Sequence, residues 1–515
     1  MALTSLQAGP LEGLALALVS WETLPLLVVL TSFLPGIAIM FLQEEQSRAR
    51  TTLNLTGAVL KVVLVCLMLL GVGLGTEYRW ALEVLPGFEL TLVGDSLALL
   101  FVTLSAVLWL VTTIYAIGYL EESPDRTRFF SFFSLCVTAT TGLAMAGDLF
   151  TFVIFYEALT WTTYPLVVHR GTRKAIKAGR LYLIYTLTSG AVLIVGAVAL
   201  QVLAGTVEFA TGGVLDPGAV AAQPMAYTAV FLLLLAGLAV KAALFPVHGW
   251  LPIAMVAPAP VSALLHAVAV VKAGAFGVIR LLHSVFGIEL SLNLGMAQLV
   301  TALAAFTIIY GSIRALTQDD LKRLLAFSTV SQLSYIALGA ALLMPAAHIG
   351  GIVHLVHQGI MKITLFFCAG LLAETLQVKK VSEMGGVARR MPLTMLAFTV
   401  AALGMIGLPP IAGFLSKWYL GIGALDSGAA WVIPVLLASS MLNAAYFLPI
   451  IKTAWFDGKN AQWKDRGRGR WLEADWRLVV PALVTAALAL GCGLLASTLW
   501  SPLGWTRLIV ERGVL

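Results

Sequence analysis

The stretch that decides the fold is "VKAALFPVHGWLPIAMVAPAPVSALLHAVAVVKAG", residues 240–274. It is apolar enough to lie in a bilayer, yet it holds Lys241, His248, His266 and Lys272 beside Pro246, Pro252, Pro258 and Pro260. A charge at bilayer depth costs about 2.5 kcal/mol or more, and persists where it meets a partner or a wet cavity. Proline removes a backbone donor and breaks a helix interior. Unwound backbone survives at that depth only against protein or water. The stretch therefore predicts a broken helix beside a polar site near the membrane midplane.

The rest of the chain agrees. Of its 515 residues 60% are hydrophobic and 11% charged, and the mean hydropathy is +0.94. A soluble globular protein carries about 25% charge, so the composition predicts an all-α polytopic membrane protein. The net charge of +6 then reports topology and not nucleic-acid binding, because Lys and Arg collect in cytoplasmic loops. Cys66, Cys136, Cys368 and Cys492 form no C-x-x-C pair and read as apolar filler, with no metal site. No basic region precedes the first apolar stretch, so no cleaved signal peptide is expected.

Apolar runs of roughly 20 residues suit a spanning helix. There are fourteen, at about 24–42, 53–75, 93–119, 129–146, 148–168, 180–204, 226–257, 260–282, 295–313, 323–344, 349–373, 392–423, 429–451 and 478–500, with 10–20 as a further interfacial piece. The loops test this count. Those after spans 1, 3, 5, 9, 11 and 13 hold most of the 32 Lys and Arg residues, among them Arg48, Arg126, Lys174, Lys322, Lys379, Lys464 and Arg468. The alternate loops hold only Arg79. A miscounted span would scramble this alternation. The basic loops are expected to be cytoplasmic, with both termini outside.

Spans 7 and 12 are longer than one straight helix needs, and each carries a breaking motif, "FPVHGWLP" and "GLPPIAG". Interrupted segments five spans apart predict two inverted five-helix repeats, spans 4–8 (129–282) and 9–13 (283–455). They follow an N-terminal group of three helices (1–128) and precede a cytoplasmic loop with span 14 (456–515). Paired discontinuous helices in inverted repeats mark transporters, with the site near the midplane. The plainer reading is that these prolines only kink long helices.

Within the spans the ionisable residues need an account. Glu157 in span 5 has no compensating charge nearby in sequence, so it must pair or be protonated. Lys241 and Lys272 are its candidate partners, and an acid and a base in one wet cavity shift each other's proton affinity. A static buried ion pair is the alternative. His266 lies six residues before Lys272, off its helical face, and so reads as a separate step along a path. His248 and His357 carry the ring that titrates near neutral pH. Lys362 would continue the row in span 11, and Lys417 would end it after the break in span 12. Lys61 reads as snorkelling from span 2 toward the basic-loop face, and His354 as facing outward near a membrane edge. Asp95, Asp148 and one of Asp319 and Asp320 read as helix caps. No phosphate-binding loop, haem-ligating pair or dinucleotide motif is present, so the chain is expected to carry no redox cofactor.

Together "GDLFTFVIFYE", "VKAALFPVHGWLP", "APAPVSALLHAVAVVKAGAFGVIR", "DLKRLLAFSTVSQLSY" and "GLPPIAGFLSKW" resemble the antiporter-like subunits shared by respiratory complex I and Mrp-type multisubunit cation/proton antiporters. The resemblance runs over about residues 129–455. It implies fourteen helices, the inverted repeats, and proton translocation by Glu157 paired with Lys241, a central Lys272, and Lys417 near the exit. His248, His266, His357 and Lys362 match supporting positions. Lys417, where some complex I members carry Glu, is more like the Mrp D-type subunits, and so are Ile253, Met255 and the "GDLF" start of span 5. The function implied is a proton-translocating subunit of a monovalent cation (Na+ or K+)/H+ antiporter in the cell inner membrane, working with other subunits. The alternative is a proton-pumping subunit of an NADH:quinone oxidoreductase or related redox complex. In either case this chain would hold no redox site of its own.

Overall fold

The computed structural model describes residues 21–86, 88–205, 207–458 and 473–513. The 10–20 segment and most basic residues of the loop before span 14 lie outside these. All fourteen predicted spans are single helices or helices broken into shorter pieces. Spans 1–6 are Leu24–Met40, Ser47–Gly73, Ser96–Tyr119, Arg126–Ala144, Leu149–Val167 and Arg173–Ala204. Spans 9, 10 and 11 are Met296–Leu316, Leu321–Ala341 and Pro345–Thr375, and spans 13 and 14 are Val432–Phe456 and Trp476–Leu494. By length and composition alone, ten of the described helices could each cross a membrane.

Span 7 runs helically over Pro224–Lys241, unwinds, and resumes as short helical pieces over 247–256. Span 12 breaks between Pro392–Ile406 and Ala412–Asp426. Span 8 is broken too, between Ala259–Ala267 and Val270–Arg280, where no proline or glycine announces it. The two strands β1 (Arg79–Leu85) and β2 (Phe88–Val93) pair antiparallel in the loop before span 3, another feature that the apolar pattern does not predict. A last helix, Pro502–Glu511, follows span 14.

Asp95, Asp148 and Asp320 cap spans 3, 5 and 10, accepting from Ala98 N at 2.6 Å, Thr151 N at 2.7 Å and Arg323 N at 2.9 Å. Asp319 instead takes Ser382 N and Oγ at 3.0 Å.

Contacts sort the loops into two sets. Glu44 accepts Arg126 N and Thr127 N, Arg128 reaches His169 O, Asp319 holds Ser382, and Arg477 reaches Glu121. All of these belong to the basic set. At the other end Arg79 meets Glu208, Arg280 pairs with Asp95 at 2.6 Å, and Trp505 Nε1 donates to Ser96 O. Spans 8, 10 and 11 are buried on all sides, whereas spans 2, 6 and 14 expose much of their surface. The polar residues of span 11 thus stand at the centre of the molecule, where only a helix that is apolar almost all round could sit.

Two expectations fail here. Lys61 does not snorkel. Span 2 begins at Ser47, earlier than the hydropathy suggests, which puts Lys61 about 21 Å along the helix. It is fully buried. His354 does not face outward, because span 11 begins at Pro345 and the ring turns into the bundle, also fully buried.

A buried row of lysines at the helix breaks

Lys241 is the last residue of the first half of span 7. The chain then turns through Ala243 at φ +54°. Backbone groups freed by the break must find partners in a dry interior. Val240 O takes Trp250 Nε1 at 2.7 Å, and Phe245 N donates to Thr307 Oγ1 at 3.1 Å. The ammonium of Lys241 donates to Tyr156 O and lies 3.4 Å from the centroid of the Tyr156 ring. Tyr156 in turn donates through its hydroxyl to Gly237 O at 2.8 Å, locking span 5 to span 7.

Glu157 follows Tyr156 and lies within electrostatic reach of Lys241, but no ion pair within 4 Å joins them. The carboxylate is half-buried, and its Oε1 has no hydrogen-bond partner. Gly190 of span 6 makes the room: a Cβ there would overlap the carboxylate.

Span 8 meets this break directly. Gly274 packs on the Lys241–Ala242 backbone, and a Cβ added to it would fall on Ala242 N. Two residues earlier Lys272 leaves in the other direction, donating to Leu355 O at 2.8 Å and to Gln358 Oε1 of span 11. One turn before Gln358, His354 bridges Ser416 Oγ of span 12 at 2.8 Å and Gln332 Oε1 of span 10 at 3.1 Å. Both Lys272 and Lys417 lie within its electrostatic reach.

Lys417 turns back over the break in span 12. It donates to Met405 O at 3.0 Å, Ile406 O at 2.8 Å and Ser440 Oγ at 3.0 Å. Those carbonyls end the first half-helix, where a cation is favoured by the helix dipole. Lys362 donates to Leu325 O at 3.2 Å and Ser328 Oγ at 2.7 Å, and Ser328 also receives the Tyr446 hydroxyl.

The structure thus brings Glu157, Lys241, Lys272 and Lys417 into one row crossing spans 5, 7, 8, 11 and 12, with Lys362 as a branch. It places His248 elsewhere, in an aromatic nest of Phe245, Tyr310 and Phe327. His266 lies against Phe366 near Lys362, with neither ring nitrogen bonded, and His357 stands beside His354 near the Ala412 backbone. The histidine that joins the row is His354, which the hydropathy pattern puts at a membrane edge. A signal for it exists: His354, Gln358 and Lys362 recur every fourth residue and so share one face of span 11. Among the described residues no group of three or more His, Cys, Asp or Glu side chains could hold a metal ion.

The fold and the row define a polytopic membrane protein with a chain of ionisable side chains strung between broken helices. Residues 146–443 match the family described as NADH:quinone oxidoreductase/Mrp antiporter, transmembrane, and the chain belongs to it. The N-type chain of the NADH-quinone oxidoreductase of Desulforudis audaxviator is 37% identical over 72% of this chain and 74% of its own. The D-type chain of the Na(+)/H(+) antiporter of Bacillus subtilis is 28% identical over 69% and 71%. A component of the Mrp complex from Dietzia sp. superposes with a TM-score of 0.83 at 24% identity, covering 96% of this chain and 99% of that one. The fold is therefore that of the antiporter-like subunits.

Proposed function

We propose that this chain is the proton-translocating subunit of a multisubunit monovalent cation/proton antiporter, similar to the Mrp D-type subunits. The observation that carries the reading is the row itself. Burying an unpaired charge costs several kcal/mol, and this protein accepts that cost at Lys241, Lys272 and Lys362 without a carboxylate in contact with any of them. Such residues at membrane depth face a pathway more often than they serve as mere structure. In this reading Glu157 and Lys241 load a proton, Lys272 and His354 pass it across the centre, and Lys417 releases it. Spans 4–8 and 9–13 act as the two repeats, and the basic-loop face is cytoplasmic.

A second reading rests on the 37% identical relative, which is a subunit of a quinone oxidoreductase. The same row would then be driven by electron transfer in partner subunits. Proton flux measured in vesicles holding the whole native complex separates the two. Flux driven by added Na+ or K+ and indifferent to NADH is expected for the antiporter. Flux seen only during NADH oxidation would assign the redox pump, and no flux in either condition would sink both.

His354 gives a residue-level test. It is the bridge between the Lys272 and Lys417 halves, so His354→Ala is expected to lower proton flux about 100-fold, the low end for a lost proton-transfer group. Normal flux in the assembled variant would remove it from the row.

A further inference from the structure

Lys61 lies outside the row, in the N-terminal helices to which no role has been given. Its ammonium is fully buried and has no carboxylate in contact. It donates to Ser32 Oγ of span 1 at 3.0 Å and to Thr141 Oγ1 of span 4 at 2.8 Å, and lies 5.5 Å from the centroid of the Trp109 ring of span 3. Four helices thus converge on one amine.

From this amine a thread of polar side chains, joined at two places through backbone carbonyls, runs to the basic-loop face. Thr138 Oγ1 donates to the same Ser32 Oγ at 2.9 Å and also reaches Ser134 O at 3.0 Å. Ser134 Oγ donates to Asn54 Oδ1 at 2.8 Å, and Asn54 Nδ2 to Arg50 O at 3.1 Å. Arg50 meets Thr127 Oγ1 at 2.8 Å and Glu44, which is 41% exposed. Each of Arg50, Asn54, Thr127, Ser134, Thr138 and Ser32 is buried, so the thread is enclosed from its mouth to Lys61.

A purely structural lysine does not account for this. Burying an ammonium against hydroxyls and an indole face leaves its charge uncompensated, and an apolar side chain of similar size would fill the space at lower cost. Asn54 and Ser134 would likewise serve no packing need that Leu and Ala could not meet.

We infer that Lys61 is an additional proton-holding site that exchanges protons with solvent at the basic-loop face along the polar path lined by Arg50, Asn54, Ser134, Thr138 and Ser32. Loading transfers a proton from a hydronium ion entering at the Glu44 mouth to the neutral amine, forming one N–H bond and leaving a water molecule; unloading is the reverse, with the proton returned to water. No other bond changes. The inference rests on the proton-transport reading above.

The test is proton flux in vesicles carrying the whole complex with Lys61→Gln, Lys61→Arg, Ser134→Ala or Lys241→Ala, scaled to the amount of assembled complex. Lys61→Gln keeps hydrogen bonding without the titrating amine and is expected to lower flux about 100-fold or more. Arginine keeps charge and donors but does not release its proton, so Lys61→Arg is expected to assemble and stay slow; a structural lysine would be rescued by it. Ser134→Ala removes one hydroxyl from the thread and adds no bulk, and is expected to slow flux severalfold with Lys61 intact. Wild-type flux in Lys61→Gln overturns the inference, and so does rescue by arginine. If Lys61→Gln fails to assemble, wild-type flux in Ser134→Ala overturns it. Lys241→Ala keeps the two readings apart. If it is inactive while Lys61→Gln is normal, only the Lys61 site falls; if it too is normal, the row falls with it.

Discussion

Proton flux through the assembled complex is expected to drop at least about 100-fold in Lys241→Ala and in Glu157→Gln alike. The Lys241 ammonium is held by one carbonyl and one ring face, both from Tyr156. Neither accepts a proton at ordinary pH, so in the proposed relay Lys241 exchanges with Glu157, the carboxylate within its electrostatic reach. Glutamine keeps the size of Glu157 and fits the space that Gly190 leaves, but it cannot take a proton. The two losses are expected not to add. Residues that act as one unit lose nearly all function when either is removed, so Glu157→Gln with Lys241→Met should transport no worse than either alone. Assembly should move the other way. Removing Glu157 takes the nearest negative charge away from a buried ammonium, and removing both also removes the cost of burying that ammonium. The double variant is therefore expected to accumulate more assembled complex than Glu157→Gln. Flux at the wild-type level in both single variants would end the role assigned to this pair. Additive losses in the double variant would show two independent steps in place of one.

What is legible in the sequence is what obeys period and composition. Apolar runs and the alternation of basic loops together place all fourteen spans as helices, although only ten of the described helices are long and apolar enough alone to cross a membrane. The breaks in spans 7 and 12 are legible because proline leaves no choice. The break in span 8 is not. Val268 and Ala269 carry no local signal, and the interruption arises where Gly359 of span 11 lies against Ala267 O and Gly274 lies against span 7. Such packing is tertiary and overrides propensity. Depth is the hardest property to read. A shift of a few residues in a predicted end makes Lys61 a snorkelling residue and His354 an edge residue, and both are fully buried. The glycines at positions 190 and 274 are invisible as site residues, because what distinguishes them is a neighbour from a distant span.

Gly274 carries the second large expectation. Spans 7 and 8 touch backbone to backbone at the point where span 7 unwinds, and a methyl group at Gly274 would fall on Ala242 N, close also to Lys241 C and Ala242 Cα. A flexible side chain could swing aside, but these are main-chain atoms, so the helices themselves must part. Overpacking a tight interior costs about 1–3 kcal/mol, and more when backbone has to move. Against it stands only the modest gain in helix propensity from glycine to alanine, about 1 kcal/mol. Gly274→Val is therefore expected to lower the thermal stability of the complex and to reduce the assembled fraction severalfold. The complex that does assemble is expected to transport slowly, because parting these helices moves Lys241 and Lys272 away from Tyr156 and Gln358. Gly491 in span 14 supplies the control, since a Cβ there meets nothing within 4 Å. Gly491→Ala should leave melting temperature and flux unchanged or raise stability slightly. Equal melting temperatures for Gly274→Val and Gly491→Ala would show that spans 7 and 8 are not in backbone contact, and with that contact would go the route by which the break in span 7 fixes the distance between the two central lysines.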